Sequence, residues 1–263
     1  MYSKQINDAY VASCVSAINE YHAEGRRSQV TRGFMGVDVE IEAPDKAAVV
    51  GEAIISFTGK LSKENRVDAQ NAFLHASMIA SEKYPGEEEV KEWYLRFRDV
   101  MEKTGWIAVK SYHNDLKVNG TSVRMDELVL GILKSTILAL AIPGPASALM
   151  LKVAGDAVAA LEKRNTALTL YEKNLLDQGV GGMAAGACTE VDGEVMLSLG
   201  VVRFKRRNTS DKVMFVDVDV RKVGLYSGEV TFVKHDLVAN ATRPIIEKYI
   251  VEKALGKIAE YHI

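Results

Sequence analysis

The chain has 263 residues, 48% of them apolar and 26% charged, enough to bury a sizeable core without metals or disulfides. Its 33 Lys plus Arg against 35 Asp plus Glu give no global basic field, which argues against nucleic acid as a partner. Two scattered cysteines, Cys14 and Cys188, suit a reducing compartment better than a disulfide framework.

The opening MYSKQINDAY lacks a basic stretch followed by an apolar one, and Tyr2 stands where N-myristoylation needs glycine. The expectation is a protein cytoplasmic in its producing cell, released by lysis or a dedicated machine if it acts outside. Ile6, Ala9, Tyr10, Cys14, Ala17, Ile18 and Tyr21 share one helical face, and Gly25 ends that helix. Polar and basic residues from Glu24 to Arg32 make a loop, after which Val37 to Ile41 alternates as a strand and Pro44 stops it. From Asp45 the spacing predicts a helix, with Val49, Val50, Ala53, Ile54 and Phe57 on one side and a break near Gly59.

A second helix is predicted over Ser62 to Lys83, and a third over Glu87 to Lys103, whose leading glutamates oppose the amide dipoles of a helix start. Trp106 to Val118 reads as a strand. Asn119-Gly120 is a turn, and a helix beginning near Ser122 leads into the most apolar part of the chain. After Pro143-Gly144-Pro145 a helix extends to about Leu161, with a shorter one from Thr166 to Leu176. The character changes at Gly179. Val191 to Lys205, Lys212 to Lys222 and Gly228 to Lys234 are strand-like, with Asp192-Gly193 and Tyr226-Ser227-Gly228 as hairpin turns. A last helix follows Pro244 and runs to about Glu260.

Helices precede strands in this reading, so the predicted class is α+β in a single domain over 1–263. The helix-rich part covers about 1–178 and packs on an antiparallel sheet that, with the closing helix, covers about 179–263. Nothing in the order suggests a βαβ unit, and there is no internal repeat, linker or low-complexity segment.

Two stretches stand out. Ser135 to Leu151 is STILALAIPGPASALML, seventeen residues without a charge, bracketed by Lys134 and Lys152. Each arm is too short to span a bilayer, which takes about 20 apolar residues. The stretch is either a helical hairpin that dips into a membrane or lines a greasy cavity, or two core helices joined by a tight turn. The other stretch, Gly179 to Cys188, has few side chains. It fits neither the P-loop nor the dinucleotide-binding glycine pattern. It is either a cavity wall whose thiol at Cys188 carries an adduct such as a fatty-acyl thioester, or a place of close backbone packing with Cys188 as a small hydrophobe.

Five dispersed histidines, His22, His75, His113, His235 and His262, give no zinc spacing, so no metal is expected. Cys188 with His235, oriented by Asp236 or Asp217, is the one nucleophile pairing that can be drawn; otherwise no catalytic residue is assigned. Glu87-Glu88-Glu89 reads as a solvated helix start, and Arg203, Lys205, Arg206 and Arg207 as a protected strand end or a contact for anionic headgroups. Trp93 and Trp106 read as core residues.

Glu92-Trp93-Tyr94, Val100, Gly105-Trp106 and Met125-Asp126-Glu127-Leu128-Val129-Leu130 form a pattern that continues through Val195 to Gly200, the strand Val213 to Val220 and the closing helix. Over about residues 60–263 this pattern resembles the Erwinia virulence factor Evf family of bacterial and fungal proteins. The resemblance implies a fold without enzymatic precedent, a virulence or toxin-like role in persistence in an insect gut, and membrane association through a fatty acid such as palmitate on an internal cysteine. Within the stretch it covers, that cysteine is Cys188.

A buried acyl chain needs an oily channel, and the expected lining is Leu138, Ile142, Leu149, Met150, Gly182, Met183 and Ala187, each buried methylene contributing about 0.8 kcal/mol. The expected partners are therefore a fatty acid or membrane lipid and a host membrane. Two other readings stand beside this one: a cysteine-dependent acyltransferase or hydrolase, and a non-enzymatic interaction module. Oligomeric state is not readable from the residues.

Overall fold

The computed structural model of the protein describes residues 2–25, 37–40, 46–58, 61–86, 88–117, 122–140, 142, 144–163, 168–169, 171–172, 180–205, 215, 217–219 and 225–260. In chain order the elements are α1 (Tyr2–Gly25), β1 (Val37–Glu40), β2 (Lys46–Val50), β3 (Ala53–Phe57), α2 (Lys63–Lys83), α3 (Val90–Lys103), β4 (Trp106–Asp115) and β5 (Ser122–Arg124). Then follow α4 (Met125–Leu138), α5 (Gly144–Glu162), β6 (Val180–Val191), β7 (Glu194–Lys205), β8 (Asp217–Asp219), β9 (Leu225–Lys234) and α6 (Asp236–Glu260). The class is α+β, with a helix at the C-terminus, as the sequence indicates.

Seven strands form one sheet in the order β1-β2-β3-β6-β7-β9-β4, and β5 pairs with β8 apart from it. The sheet is not wholly antiparallel, because β3 and β6 run parallel, Phe57 opposite Cys188. It also draws on both parts of the chain, with β1 to β4 lying in the stretch read as helix-rich. Side chains alternate across a strand, so each face meets a different helical layer. One core gathers Phe57, Trp93, Tyr94, Phe97, Leu197, Phe232 and Tyr249 under α2, α3 and α6. The other gathers Val49, Ile54, Val129, Leu133, Met150, Met183, Ala187 and Phe204 under α4 and α5.

The helix predicted from Asp45 to Phe57 is a β-hairpin, β2 and β3, with Val50 opposite Ala53. Its residues serve both cores, Ala47, Val49 and Ile54 one and Ala48, Val50 and Ile55 the other. Strands buried on both faces lose the alternation that marks a half-exposed strand and mimic a helical run. Gly179 to Cys188 conceals a second missed strand. From Val180 it is β6, paired residue by residue with β7.

Tyr226-Ser227-Gly228, expected as a turn, lies inside β9, paired with β4 and β7. Asp192-Gly193 is a turn as expected, both residues at positive φ (52° and 84°), which suits a tight hairpin. The helix expected near Ser122 begins at Met125, after the short β5, and the closing helix begins at Asp236, so Pro244 sits within it instead of in its first turn. Ser62 caps α2 as its position suggests, accepting from the Asn65 amide at 3.0 Å.

Asn119-Gly120, Pro143, Glu87, Arg206 and Arg207 lie outside the described residues. So do most of the helix expected over Thr166 to Leu176 and most of the strand expected over Lys212 to Lys222.

Candidate functional site

The uncharged stretch forms the ends of α4 and α5 and the connection between them. Each helix divides its residues in the amphipathic manner. Val129, Leu133 and Ile137 of α4 and Met150, Ala154, Ala157 and Leu161 of α5 are buried against the sheet. At the tip the outer positions stay apolar and meet solvent: Leu138 is 59% exposed and Leu149 39%, with Ala139, Pro145 and Ala148 exposed and Ile142 half-buried.

Charged groups of both signs flank this stretch, and Glu229 accepts from Ser135 at 3.3 Å. Lys110 donates to the carbonyl of Ala139 at 3.2 Å, a cation placed at the negative end of α4. Lys134 is exposed on the last turns of α4, and Lys152, exposed about two turns into α5, pairs with Asp156 at 2.7 Å. By length and composition α5 passes as a membrane-crossing helix, and 39% of that window is buried. Its sheet-facing side carries core residues, so crossing a bilayer would require dismantling that core.

The expected channel residues do not converge on Cys188. Met150, Met183 and Ala187 belong to the core beneath α4 and α5, while Cys188 faces the opposite core, among Phe57, Leu197 and the α2 and α3 side chains. Leu138 and Leu149 face solvent. Gly182 lies beneath Arg203, whose guanidinium occupies the space a methyl group would need. The Cys188 sulfur is fully buried, and burial pushes its thiol well above the usual range, the reverse of what a nucleophile or acyl acceptor needs. Cys14 is likewise free and buried.

His235 sits past the end of β9, two strands from Cys188 across β7, with its ring edge-on to Tyr10 at 6.2 Å and no described hydrogen bond to the sulfur. Among the described residues no group of three or more His, Cys, Asp or Glu forms a metal site.

Sequence reasoning missed three polar clusters. Arg203, read as part of a protected strand end or a contact for anionic headgroups, is buried at 3% exposure. Its guanidinium lies 3.5 Å from Glu52 and stacks over Trp93 at 3.9 Å. Ser77 donates to the same Glu52 at 2.7 Å, and the Trp93 indole donates to Ser81 at 2.8 Å. In the second cluster Asp68 of α2 accepts from Arg243 at 2.7 and 2.8 Å and pairs with Lys234 at 2.8 Å.

The third cluster joins His22 of α1 to His75 of α2, Nε2 to Nε2 at 2.7 Å, with Tyr249 of α6 stacked on His22 at 3.9 Å between ring centroids. Of the three, the third is the one built on imidazole side chains. The spacing of His22 and His75, each on the buried side of a helix, was the one signal in the sequence.

The fold and the tip define an α+β protein with a mixed sheet between two helical layers and an exposed, lysine-bordered apolar tip on one of them. No family model matches the chain, and no curated protein matches it. Among solved structures it is similar to that of the Evf virulence factor, at 11% identity over 90% of each chain with a TM-score of 0.35.

Proposed function

We propose that the protein binds lipid membranes peripherally, the α4–α5 tip entering the interface of an anionic bilayer while the rest of the fold stays in water. The observation that carries this reading is the exposure of Leu138 and Leu149 on a tip whose own residues carry no charge, with Lys110 and Lys134 beside it. Exposed apolar patches bordered by polar groups mark interaction surfaces. Moving the remaining exposed area of each leucine out of water contributes on the order of 1 kcal/mol. Each lysine near an anionic surface contributes about as much. The sum suits reversible docking, not permanent insertion.

A covalent acyl anchor at Cys188 gains no support from a sulfur sealed on the far side of the sheet, and a cysteine hydrolase or acyltransferase gains none from a buried thiol with no histidine hydrogen-bonded to it among the described residues. The test is co-sedimentation with vesicles of phosphatidylglycerol and phosphatidylcholine. The wild-type protein is expected to pellet with anionic vesicles and the Leu138→Glu/Leu149→Glu variant to bind at least tenfold more weakly. Equal binding by the two would overturn the proposal. Retention of the wild-type protein on a protein partner, with none on vesicles, would favour the interaction-module reading.

A further inference from the structure

Large exposed apolar side chains are not confined to the α4–α5 tip. Val109 and Tyr112 of β4 are 54% and 56% exposed, close to the value for Leu138. β4 stands last in the order of the seven-stranded sheet, so it is an edge strand. Edge strands are commonly guarded by lysines and bulges, and β4 has both, with Lys110 next to an irregularity between Ala108 and Lys110. The exposure of Val109 and Tyr112 beside those guards is what needs an explanation.

Two contacts fix where this edge lies relative to the tip. Tyr112 stands directly opposite Glu229 of β9, and cross-strand partners share a face of the sheet. The Glu229 carboxylate accepts from Ser135 of α4 at 3.3 Å, which places the Tyr112 side chain on the α4 side. Two residues back along the strand, Lys110 shares that face and donates to the Ala139 carbonyl at 3.2 Å. Passing from Tyr112 to Lys110 therefore runs alongside α4 from Ser135 to its end at the tip, and Val109 is the next residue in that direction. Leu138 lies about one helical turn beyond Ser135.

We propose, building on the membrane reading above, that the β4 edge is the second half of the docking face: Val109 enters the interface of an anionic bilayer beside the tip leucines, and Tyr112 lies at headgroup level behind them. A tip alone is a pivot, and a second line of contact fixes the tilt of the fold on the bilayer. Tyrosine suits that level because its ring is apolar and its hydroxyl polar. The Tyr112 hydroxyl accepts from Asn114 at 3.2 Å and keeps its own hydrogen to donate to a lipid phosphate or ester oxygen. Two features limit the depth. The backbone groups of an open sheet edge are not buried in hydrocarbon, and the Glu229 carboxylate beside Tyr112 has to stay hydrated. β4 thus remains among the headgroups while Leu138 and Leu149 reach below them.

Site-directed spin labelling of the full chain tests this. Cys14 and Cys188 are both buried, so a cysteine introduced at an exposed position takes the nitroxide selectively. Labels are placed in Leu138→Cys, Val109→Cys, Tyr112→Cys and, as a reference, Leu237→Cys, an exposed position of α6 in the layer across the sheet. Each is bound to vesicles of phosphatidylglycerol and phosphatidylcholine and compared for its accessibility to oxygen, which concentrates in the bilayer, and to a water-soluble nickel chelate. The oxygen-to-nickel ratio is expected to rise at least twofold at positions 138 and 109, to rise less at 112, and to stay unchanged at 237. A rise at 138 with none at 109 and 112 would overturn the proposal and leave docking by the tip standing. No rise at any of the four would overturn both. A rise at 237 equal to that at 109, or spin–spin broadening at 109 or 112 without vesicles, the sign of an edge shared by two copies of the chain, would also overturn the proposal.

Discussion

At the scale of single residues, the glycines that make the sheet strands look unusual in sequence have identifiable neighbours. A β-carbon at Gly200 would lie 2.6 Å from the Leu133 amide nitrogen and 2.9 Å from the Val129 carbonyl oxygen, both backbone atoms of α4. Backbone in a packed helix cannot step aside as a side-chain end can. Gly200→Ala is therefore expected to destabilise the fold by about 1–3 kcal/mol, the usual cost of overpacking, measured as a lower urea midpoint. Gly155, half-buried on α5 but with nothing within 4 Å of where a β-carbon would sit, should accept Ala with a small gain from helix propensity, an internal control.

None of this is legible in the sequence, because the constraint comes from Val129 and Leu133 of α4, distant in the chain. Cys188 shows the same limit. Its surroundings of small residues suggested room for a ligand, whereas β6 uses them to lie close to β3, β7 and the helices, and alternation along the strand turns the sulfur away from the apolar helical hairpin.

Among the elements, α2, α3, β4 and β7 were legible because each carries a one-sided pattern or a clear boundary: Ser62 before α2, Gly105 before β4, the Asp192-Gly193 turn before β7. The hairpin β2–β3 was not, since both its faces are buried. Nor was the mode by which α2, β9 and α6 are joined. Asp68 is buried on α2 and receives Arg243 from α6 and Lys234 from the end of β9, and Lys234 also donates to Asn65 at 2.7 Å. Burial alone pushes the Asp68 carboxyl up, but the Arg243 and Lys234 donors outweigh it and hold the carboxyl below its ordinary range.

That pairing is accordingly a source of stability above the ordinary carboxylate range, weakening as the pH falls below it. Asp68→Ala leaves Lys234, with 3% of its side chain exposed, without its closest carboxylate. The expected loss is about 3–5 kcal/mol, the cost of breaking a buried pair from one side, again read from urea unfolding. A loss below about 1 kcal/mol would show that the three elements are held by apolar packing alone.

For the molecule as a whole, the sheet divides labour between its faces. The α2, α3 and α6 layer holds the buried ionic groups and the His75 contact to His22 of α1, and the α4–α5 layer is apolar through to its exposed tip. The composition, near neutral overall with one long uncharged stretch, announced the tip but not which face of the sheet it covers. That depends on strand order, and a reading that does not recognise Val180–Val191 as a strand cannot place Cys188 and Met183 on opposite sides.

Because Trp93 and Trp106 are both buried at 1% exposure, a tryptophan placed at Leu149 supplies the solvent-sensitive emission of the tip. The measurement that bears most directly on membrane docking is the fluorescence of Leu149→Trp titrated with anionic vesicles. A blue shift with quenching by brominated acyl chains is the expected result, and emission that stays red and unquenched at saturating lipid would contradict it.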